Sequence, residues 1–89
     1  MRRLPVTIIN KLGLHARAAA KFVKLAGSFQ SEIMVSRNGR EVNGKSILGV
    51  MMLAASQGTS IELTADGPDE VQALEALQAL VDDRFHEAQ

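Results

Sequence analysis

The chain has 89 residues, of which ten are basic, ten are acidic and none is cysteine, and this length predicts one domain over residues 1–89. The zero formal net charge argues against general binding to nucleic acid or anionic membranes, and the missing cysteines exclude disulfides and thiolate metal sites, as is usual in the cytoplasm. The longest apolar run, Ile47–Ala55, is far below the roughly 20 residues of a membrane span.

The first predicted elements are a strand, a loop and a helix. Branched side chains favour a strand over Leu4–Ile9, and the polar stretch around Gly13 that follows it indicates a loop. Apolar residues at helical spacing then predict a helix over Ala16–Gly27, with Gly27 as its C-cap. The apolar stripe of this helix consists of Ala19, Phe22, Val23 and Ala26.

A β-hairpin is predicted in the middle of the chain. Two branched residues, Ile33 and Val35, alternate with Glu32, Met34 and Ser36, and Val42 continues the pattern after a polar break. That break contains Asn38-Gly39, the residue pair that a type I′ turn favours because both positions need a positive φ.

The remaining predicted elements are a short helix, a strand and a final helix. Ser46 is a suitable N-cap for a helix from Ile47 to about Leu53, and alternation predicts a strand over Ser60–Ala65. Residues 67–70 combine a glycine, a proline and two acids, which indicates the start of a helix that runs to about Phe85. The predicted core residues of the two helices are Val50, Leu53, Ala54, Val71, Leu74, Leu77 and Val81.

The predicted element order is β-α-β-β-α-β-α, which indicates an α/β protein. Alternating strands favour a sheet with one face covered by helices and the other exposed to water. We therefore predict a two-layer α/β sandwich.

The two histidines lie in different surroundings. His86 falls in the last turn of the final predicted helix, where the helix dipole alone accounts for it. His15 immediately precedes the first helix, so its side chain faces the free amides of Ala16, Arg17 and Ala18, which form an anion site. The Arg17 guanidinium can add paired hydrogen bonds to a phosphoryl group. The alternative for His15 is a partly exposed loop histidine without a function, and the alternative for Arg17 is a charged helix residue that is simply solvated.

The sequence provides no equipment for self-contained catalysis. We find no hydrolytic triad, no Walker loop and no histidine-carboxylate cluster with metal-ligand spacing, so neither a metal nor a cofactor is expected. A histidine with an anion site and no base of its own is suited to accept a phosphoryl group from one protein and pass it to another. An alternative of another class is a small binding module whose His15 and Arg17 contact phosphate backbones.

Three segments resemble the histidine-containing phosphocarrier (HPr) family of the bacterial phosphoenolpyruvate:sugar phosphotransferase system, including its nitrogen-branch members. They are Gly13-Leu14-His15-Ala16-Arg17, residues 45–53 and residues 67–70. The resemblance implies an α+β open-faced β-sandwich, in which a four-stranded antiparallel sheet carries three helices on one face. It also implies that His15 accepts a phosphoryl group on Nδ1 from enzyme I and donates it to an enzyme IIA domain. Ala18 departs from the family, which commonly has proline there.

The resemblance further implies a regulatory site at Ser46, which HPr kinase phosphorylates in related proteins from organisms that possess it. The alternatives are a plain helix N-cap and a regulator that works through Ser46 without relaying phosphate. A phosphate on Ser46 is expected to slow transfer to His15 by placing negative charge near the docking surface.

A docking surface is expected beside His15, because the short second helix is too small to bury all its apolar side chains. The expected apolar residues are Ile47, Leu48 and Met51, and the expected cations at the rim are Arg17, Lys21, Lys24 and Lys45. The alternative is that these three apolar side chains pack into the hydrophobic core. Such a surface suits brief encounters with acidic partners, and we expect the chain to act as a monomer. The sequence does not decide between the sugar and nitrogen branches, although Ser46-Ile47-Leu48 favours a kinase-regulated type.

Overall fold

The structure, a computed structural model, describes residues 1–89. Its four strands are β1 (Arg2–Thr7), β2 (Glu32–Arg37), β3 (Arg40–Asn43) and β4 (Ser60–Asp66). Its helices are α1 (Ala16–Gly27), α2 (Ile47–Met52) and α3 (Glu70–Asp82), and a 3-10 turn follows at Arg84–His86.

The strands form one antiparallel sheet in the order β1-β4-β2-β3. Alternate strand residues are buried, and they join the buried residues of the three helices in a single hydrophobic core of 21 residues. The predicted two-layer sandwich, with helices over one face of an open sheet, is therefore confirmed. Pro5 lies in β1 at an edge of this sheet, where a residue without an amide hydrogen is tolerated.

The central hairpin is confirmed in its turn and in its register. Asn38 and Gly39 both have positive φ, 51° and 81°, as a type I′ turn requires. Arg37 pairs with Arg40 directly across this turn.

The first strand begins and ends two residues earlier than the predicted Leu4–Ile9. Its partner sets the limits, because Arg2 pairs with Ala65 and Thr7 pairs with Ser60, at opposite ends of β4. Beyond that ladder, the Ile8 amide still donates to the Thr59 carbonyl at 2.9 Å, and the Ile8 side chain is fully buried.

The first helix has the predicted bounds, and its stripe is buried except for Val23, which is half-buried. Its C-cap is Ser28 in a right-handed conformation, so the prediction that Gly27 caps the helix is wrong. Ser28 closes the last turn instead, since its hydroxyl donates to the Leu25 carbonyl at 2.6 Å.

Val50 on α2 and Leu53, the C-cap of that helix, are buried as predicted, whereas Ala54 is exposed and has a left-handed φ of 51°. Arg37, on β2, donates to the carbonyls of Leu53 and Ala54 at 2.8 and 3.1 Å. These two hydrogen bonds satisfy carbonyls that the end of a helix leaves unpaired. The helix ends here, and the chain leaves the core at Ala54.

The third helix ends at Asp82, three residues before the predicted end at Phe85. Arg84, Phe85 and His86 have φ values of 55°, 54° and 64°, and left-handed backbone cannot continue a right-handed helix. Phe85 is fully buried, so the reversal returns its ring to the core. Val71 is 41% exposed, against the prediction, whereas the other three predicted core residues of α3 are buried. No helix here combines the length and apolar character needed to cross a bilayer.

A carboxylate ties the loop after α1 to the start of α3. Asp69 accepts from the amides of Gln30 and Ser31, each at 2.9 Å, and from the Ser31 hydroxyl at 2.5 Å. The Ser31 hydroxyl is the main reason why the pKa of Asp69 lies below its ordinary value, and the Gln30 amide adds to the effect. Asp69, the residue that precedes α3, therefore holds the loop after α1 in place.

The lowered pKa of Asp69 predicts how stability depends on pH. The folded state stabilises the ionised form of Asp69 relative to the unfolded state. The contribution of Asp69 to stability is therefore complete above its pKa in the unfolded chain, and it is lost as pH falls through its pKa in the folded chain. We expect Asp69→Asn to reduce stability at pH 7 and to flatten the decline in denaturation midpoint between about pH 5 and pH 2. The exposed Asp82→Asn is the control and keeps the wild-type slope. Parallel profiles for wild type and Asp69→Asn would contradict this role.

Candidate functional site

The loop before α1 is held against the segment that follows α2. Gly13 has a φ of 66°, and a Cβ atom on it would lie 2.4 Å from the Ala55 carbonyl oxygen. Leu14 is buried, and its amide donates to that same oxygen at 2.8 Å. Only glycine fits this approach, and the next residue, His15, is thereby placed at the N-terminus of α1.

His15 is the N-cap residue of α1, with extended backbone and a side chain that is 27% exposed. The helical hydrogen-bond ladder begins with the Ala19 amide, which donates to the His15 carbonyl at 2.8 Å. The amides of Ala16, Arg17 and Ala18 precede that bond, so the first turn offers backbone donors for an anion. The structure thus brings His15 together with the predicted anion site, in which these three amides form the predicted phosphate cradle. Ala18 itself packs its methyl group fully into the core.

Glu87 contacts the His15 ring, which the sequence did not predict. Its Oε2 atom is hydrogen bonded to His15 Nε2, and its Oε1 atom accepts from Asn10 Nδ2 at 3.1 Å. Burial raises the pKa of the Glu87 carboxyl, but the hydrogen bonds from His15 and Asn10 outweigh that effect, and the pKa lies below its ordinary value. The carboxylate is therefore ionised beside the ring at neutral pH.

Glu87 reaches the site because the segment 83–89 folds back across α1. Lys21, on α1, donates from Nζ to the Phe85 carbonyl at 2.6 Å, and the Lys11 amide donates to the Gln89 carbonyl at 2.9 Å. His86 consequently lies in this turn and not in the last turn of α3 as predicted. Its Nδ1 atom is 2.5 Å from an oxygen of Asp83.

An open cleft of about 750 Å³ surrounds His15. Lys11, Arg17 and Lys21 line it together with Glu87 and His86. Two lysines and one arginine against one carboxylate side chain favour an anionic ligand. No group of three histidine or acidic side chains in the structure is arranged to hold a metal ion.

An apolar surface lies on α2. Leu48 is 74% exposed, Ile47 45% and Met51 37%, and Met52 extends the patch. The predicted exposure of these side chains is therefore confirmed. Ser46 begins the same helix, and its hydroxyl accepts from the Gly49 amide at 3.2 Å, as predicted for an N-cap.

Of the four cations expected at the rim of that surface, two are hydrogen bonded within the chain and two have exposed side chains. Lys21 and Lys45 use their ammonium groups within the chain, on the carbonyls of Phe85 and Phe29. The side chains of Arg17 and Lys24 are exposed.

Sequence reasoning missed Glu87, which contacts the ring, and Asn10, which holds the Glu87 carboxylate. The available signal was the isolated Phe85, an apolar residue in a polar stretch that indicates an anchor point. Without the left-handed turn, however, nothing predicts that Glu87 returns to His15.

The fold and the site define a small α/β protein that presents one histidine at a helix N-terminus inside a cationic cleft. A model of the family described as "PTS HPr component phosphorylation site" matches residues 3–83. The chain is 57% identical to the phosphocarrier protein HPr of Cupriavidus necator and 53% identical to that of Pseudomonas aeruginosa, and each match covers the whole of both chains. The chain belongs to the HPr family of phosphocarrier proteins of the phosphotransferase system.

Solved structures agree with this assignment. An HPr from Thermoanaerobacter tengcongensis superposes with a TM-score of 0.96 at 45% identity, over the full length of both chains. A dimer of HPr from the same organism matches with a TM-score of 0.79 at 46% identity and covers 98% of this chain and 100% of that one.

The approach of Gly13 to Ala55 predicts the effect of adding one methyl group. We expect Gly13→Ala to reduce the free energy of unfolding by about 2–4 kcal/mol, because it combines left-handed strain with a steric clash. Gly39→Ala is the matched control, since Gly39 also has a positive φ but faces open space, and it should cost only about 1–2 kcal/mol. Denaturant unfolding measures both, and equal losses would show that the contact with Ala55 is loose.

Proposed function

We propose that this chain carries phosphoryl groups on His15, accepting them from phosphorylated enzyme I and donating them to an enzyme IIA domain in the cytoplasm. The observation that carries the proposal is the position of His15 at the start of α1, beside three amides that precede the helical ladder. Family membership supports it independently. The acceptor nitrogen is Nδ1, since Nε2 is hydrogen bonded to Glu87.

The transfer is an in-line displacement at phosphorus. The lone pair of Nδ1 forms the new N–P bond while the bond to the donor's group breaks, and the donor recovers that electron pair. The amides of Ala16, Arg17 and Ala18 can then receive phosphoryl oxygens. The acceptor protein drives the same exchange in reverse, so the cradle must bind the phosphoryl group only moderately.

Arg17 supplies mobile positive charge. Its side chain is exposed in the cleft, which leaves the guanidinium able to follow the phosphoryl group during transfer. Paired donors on a planar fork neutralise phosphoryl oxygens more specifically than a lysine does.

The apolar surface of α2 and the exposed cations are the proposed docking surface. Ile47, Leu48 and Met51 supply apolar contact area, and Arg17 and Lys24 attract an acidic partner. Lys21 and Lys45 contribute charge from fixed positions. Exposed apolar side chains beside exposed cations suit short-lived complexes with acidic partners, and we propose that the chain enters them as a monomer.

Ser46 is a proposed regulatory site for an HPr kinase. It is half-buried at the start of the docking helix, next to Ile47. A phosphate there would place about two negative charges beside the surface that acidic partners approach.

The proposal predicts an acid-labile adduct of one phosphoryl group when the chain is incubated with enzyme I and phosphoenolpyruvate. His15→Ala should accept none, and Arg17→Ala should accept it about 100-fold more slowly with its fold intact, because an electrostatic donor is lost. Mass spectrometry and a quenched-flow time course measure the two effects. A chain that stays unmodified would instead be a binding module, and unaltered transfer in Arg17→Ala would remove the role of its guanidinium. Candidate enzyme IIA domains that discharge the adduct identify the branch.

The regulatory proposal predicts that charge at position 46, and not loss of the cap, slows the relay. Ser46→Asp should raise the concentration of chain that half-saturates phosphorylated enzyme I, because its carboxylate repels an acidic partner. Ser46→Asn is the matched control, since asparagine caps equally well without charge. If both variants behave alike, repulsion is not the cause. Labelling of Ser46 by a kinase without any transfer to His15 would indicate a pure regulator.

A further inference from the structure

The Glu87 carboxylate is fixed on both sides. One oxygen meets His15 Nε2, and the other accepts from Nδ2 of Asn10. Asn10 is fully buried, and the same Nδ2 donates to the Gly13 carbonyl at 2.8 Å. A single buried amide therefore connects the carboxylate to the loop that positions the histidine.

The backbone of this segment is fixed as well. Phe85 is anchored in the core, its carbonyl accepts from Lys21, and the Glu87 amide donates to the Arg84 carbonyl at 2.9 Å. The Glu87 side chain is only 16% exposed. The Glu87 carboxylate therefore has a fixed position beside the ring, whereas a fully exposed carboxylate would contact the ring only part of the time.

We propose that Glu87 is a positioning residue for phosphoryl transfer, which accepts the Nε2 hydrogen of His15 and so leaves the reactive lone pair on Nδ1. The inference rests on the proposed function of His15 as acceptor. A neutral imidazole carries its hydrogen on either nitrogen, and a fixed acceptor at one nitrogen selects the form with hydrogen there. Within the chain, His15 Nδ1 makes no hydrogen bond.

The carboxylate also balances charge during the step. When Nδ1 bonds to phosphorus, Nε2 keeps its hydrogen and the ring becomes a phosphoimidazolium cation facing Glu87. When the phosphoryl group leaves, the electron pair of the N–P bond returns to Nδ1 and the ring is neutral again. Glu87 gains and loses no bond in either direction.

The negative charge of Glu87 is compensated within the cleft. Lys11, Arg17 and Lys21 line the same cleft, so an incoming phosphoryl group meets an excess of positive charge. The cations therefore allow a carboxylate to orient the ring without excluding an anion from the other nitrogen.

The test compares Glu87→Ala and Glu87→Gln with wild type. Nitrogen-15 NMR of the His15 ring reports which nitrogen carries the hydrogen, and single-turnover transfer from phosphorylated enzyme I reports the rate. We expect the wild type to hold its hydrogen on Nε2. Glu87→Ala should mix both forms and accept phosphoryl groups about 10-fold more slowly, because the ring also loses the negative charge that faces its phosphoimidazolium form. Glu87→Gln should be slower still, because its amide donates to Nε2 and favours the form with hydrogen on Nδ1.

Asp83→Asn is the matched control, since it replaces a carboxylate that meets the other histidine, His86, in the same segment. It should leave both the His15 spectrum and the rate at wild-type values. Unchanged ring spectra in both Glu87 variants, or faster transfer from either, would overturn the proposal, and the second result would show that the carboxylate blocks the site. A wild-type chain that accepts no phosphoryl group would overturn the proposed function, while the NMR comparison would still decide whether Glu87 sets the tautomer.

Discussion

The contact between Gly13 and Ala55 is the constraint on which the site depends. It fixes the loop before α1, because the backbones approach too closely for any side chain and the Leu14 amide bonds the Ala55 carbonyl. The helix consequently begins at Ala16, with His15 as its N-cap. If the loop shifted, the ring would lose its place beside the first amides of the helix and beside Glu87.

The site combines a fixed ring with an exposed cation. The ring is held by Glu87, whose carboxylate is in turn held by the buried Asn10, whereas Arg17 remains exposed. A carrier benefits from this division, because it must present its nucleophile in one orientation and yet release what it binds. Ala18 fits the same arrangement, since its methyl group packs in the core and its backbone keeps an amide where the family commonly has proline.

The sequence predicted those parts of the molecule that local patterns determine. Helical periodicity placed α1 at its observed bounds, and Asn38-Gly39 identified a turn with two positive φ values. The N-cap at Ser46 and the exposure of Leu48 followed from the same kind of reasoning.

The failures of the sequence prediction have a common cause in tertiary contacts. The end of β1 depends on where β4 begins, and α3 stops early because Phe85 turns back into the core. The same reversal brings Glu87 to His15 across 72 residues of chain, and no local pattern reports a contact of that separation. The carboxylate beside His15 was therefore visible only in the three-dimensional structure.

The most direct measurement is to locate the phosphorus on the His15 ring. The chain would be labelled with nitrogen-15 in histidine, phosphorylated by enzyme I, and examined by NMR for phosphorus–nitrogen coupling at His15. We expect coupling to Nδ1, because Nε2 faces Glu87. Coupling to Nε2 would contradict it, since the carboxylate would then have to give way to the phosphoryl group.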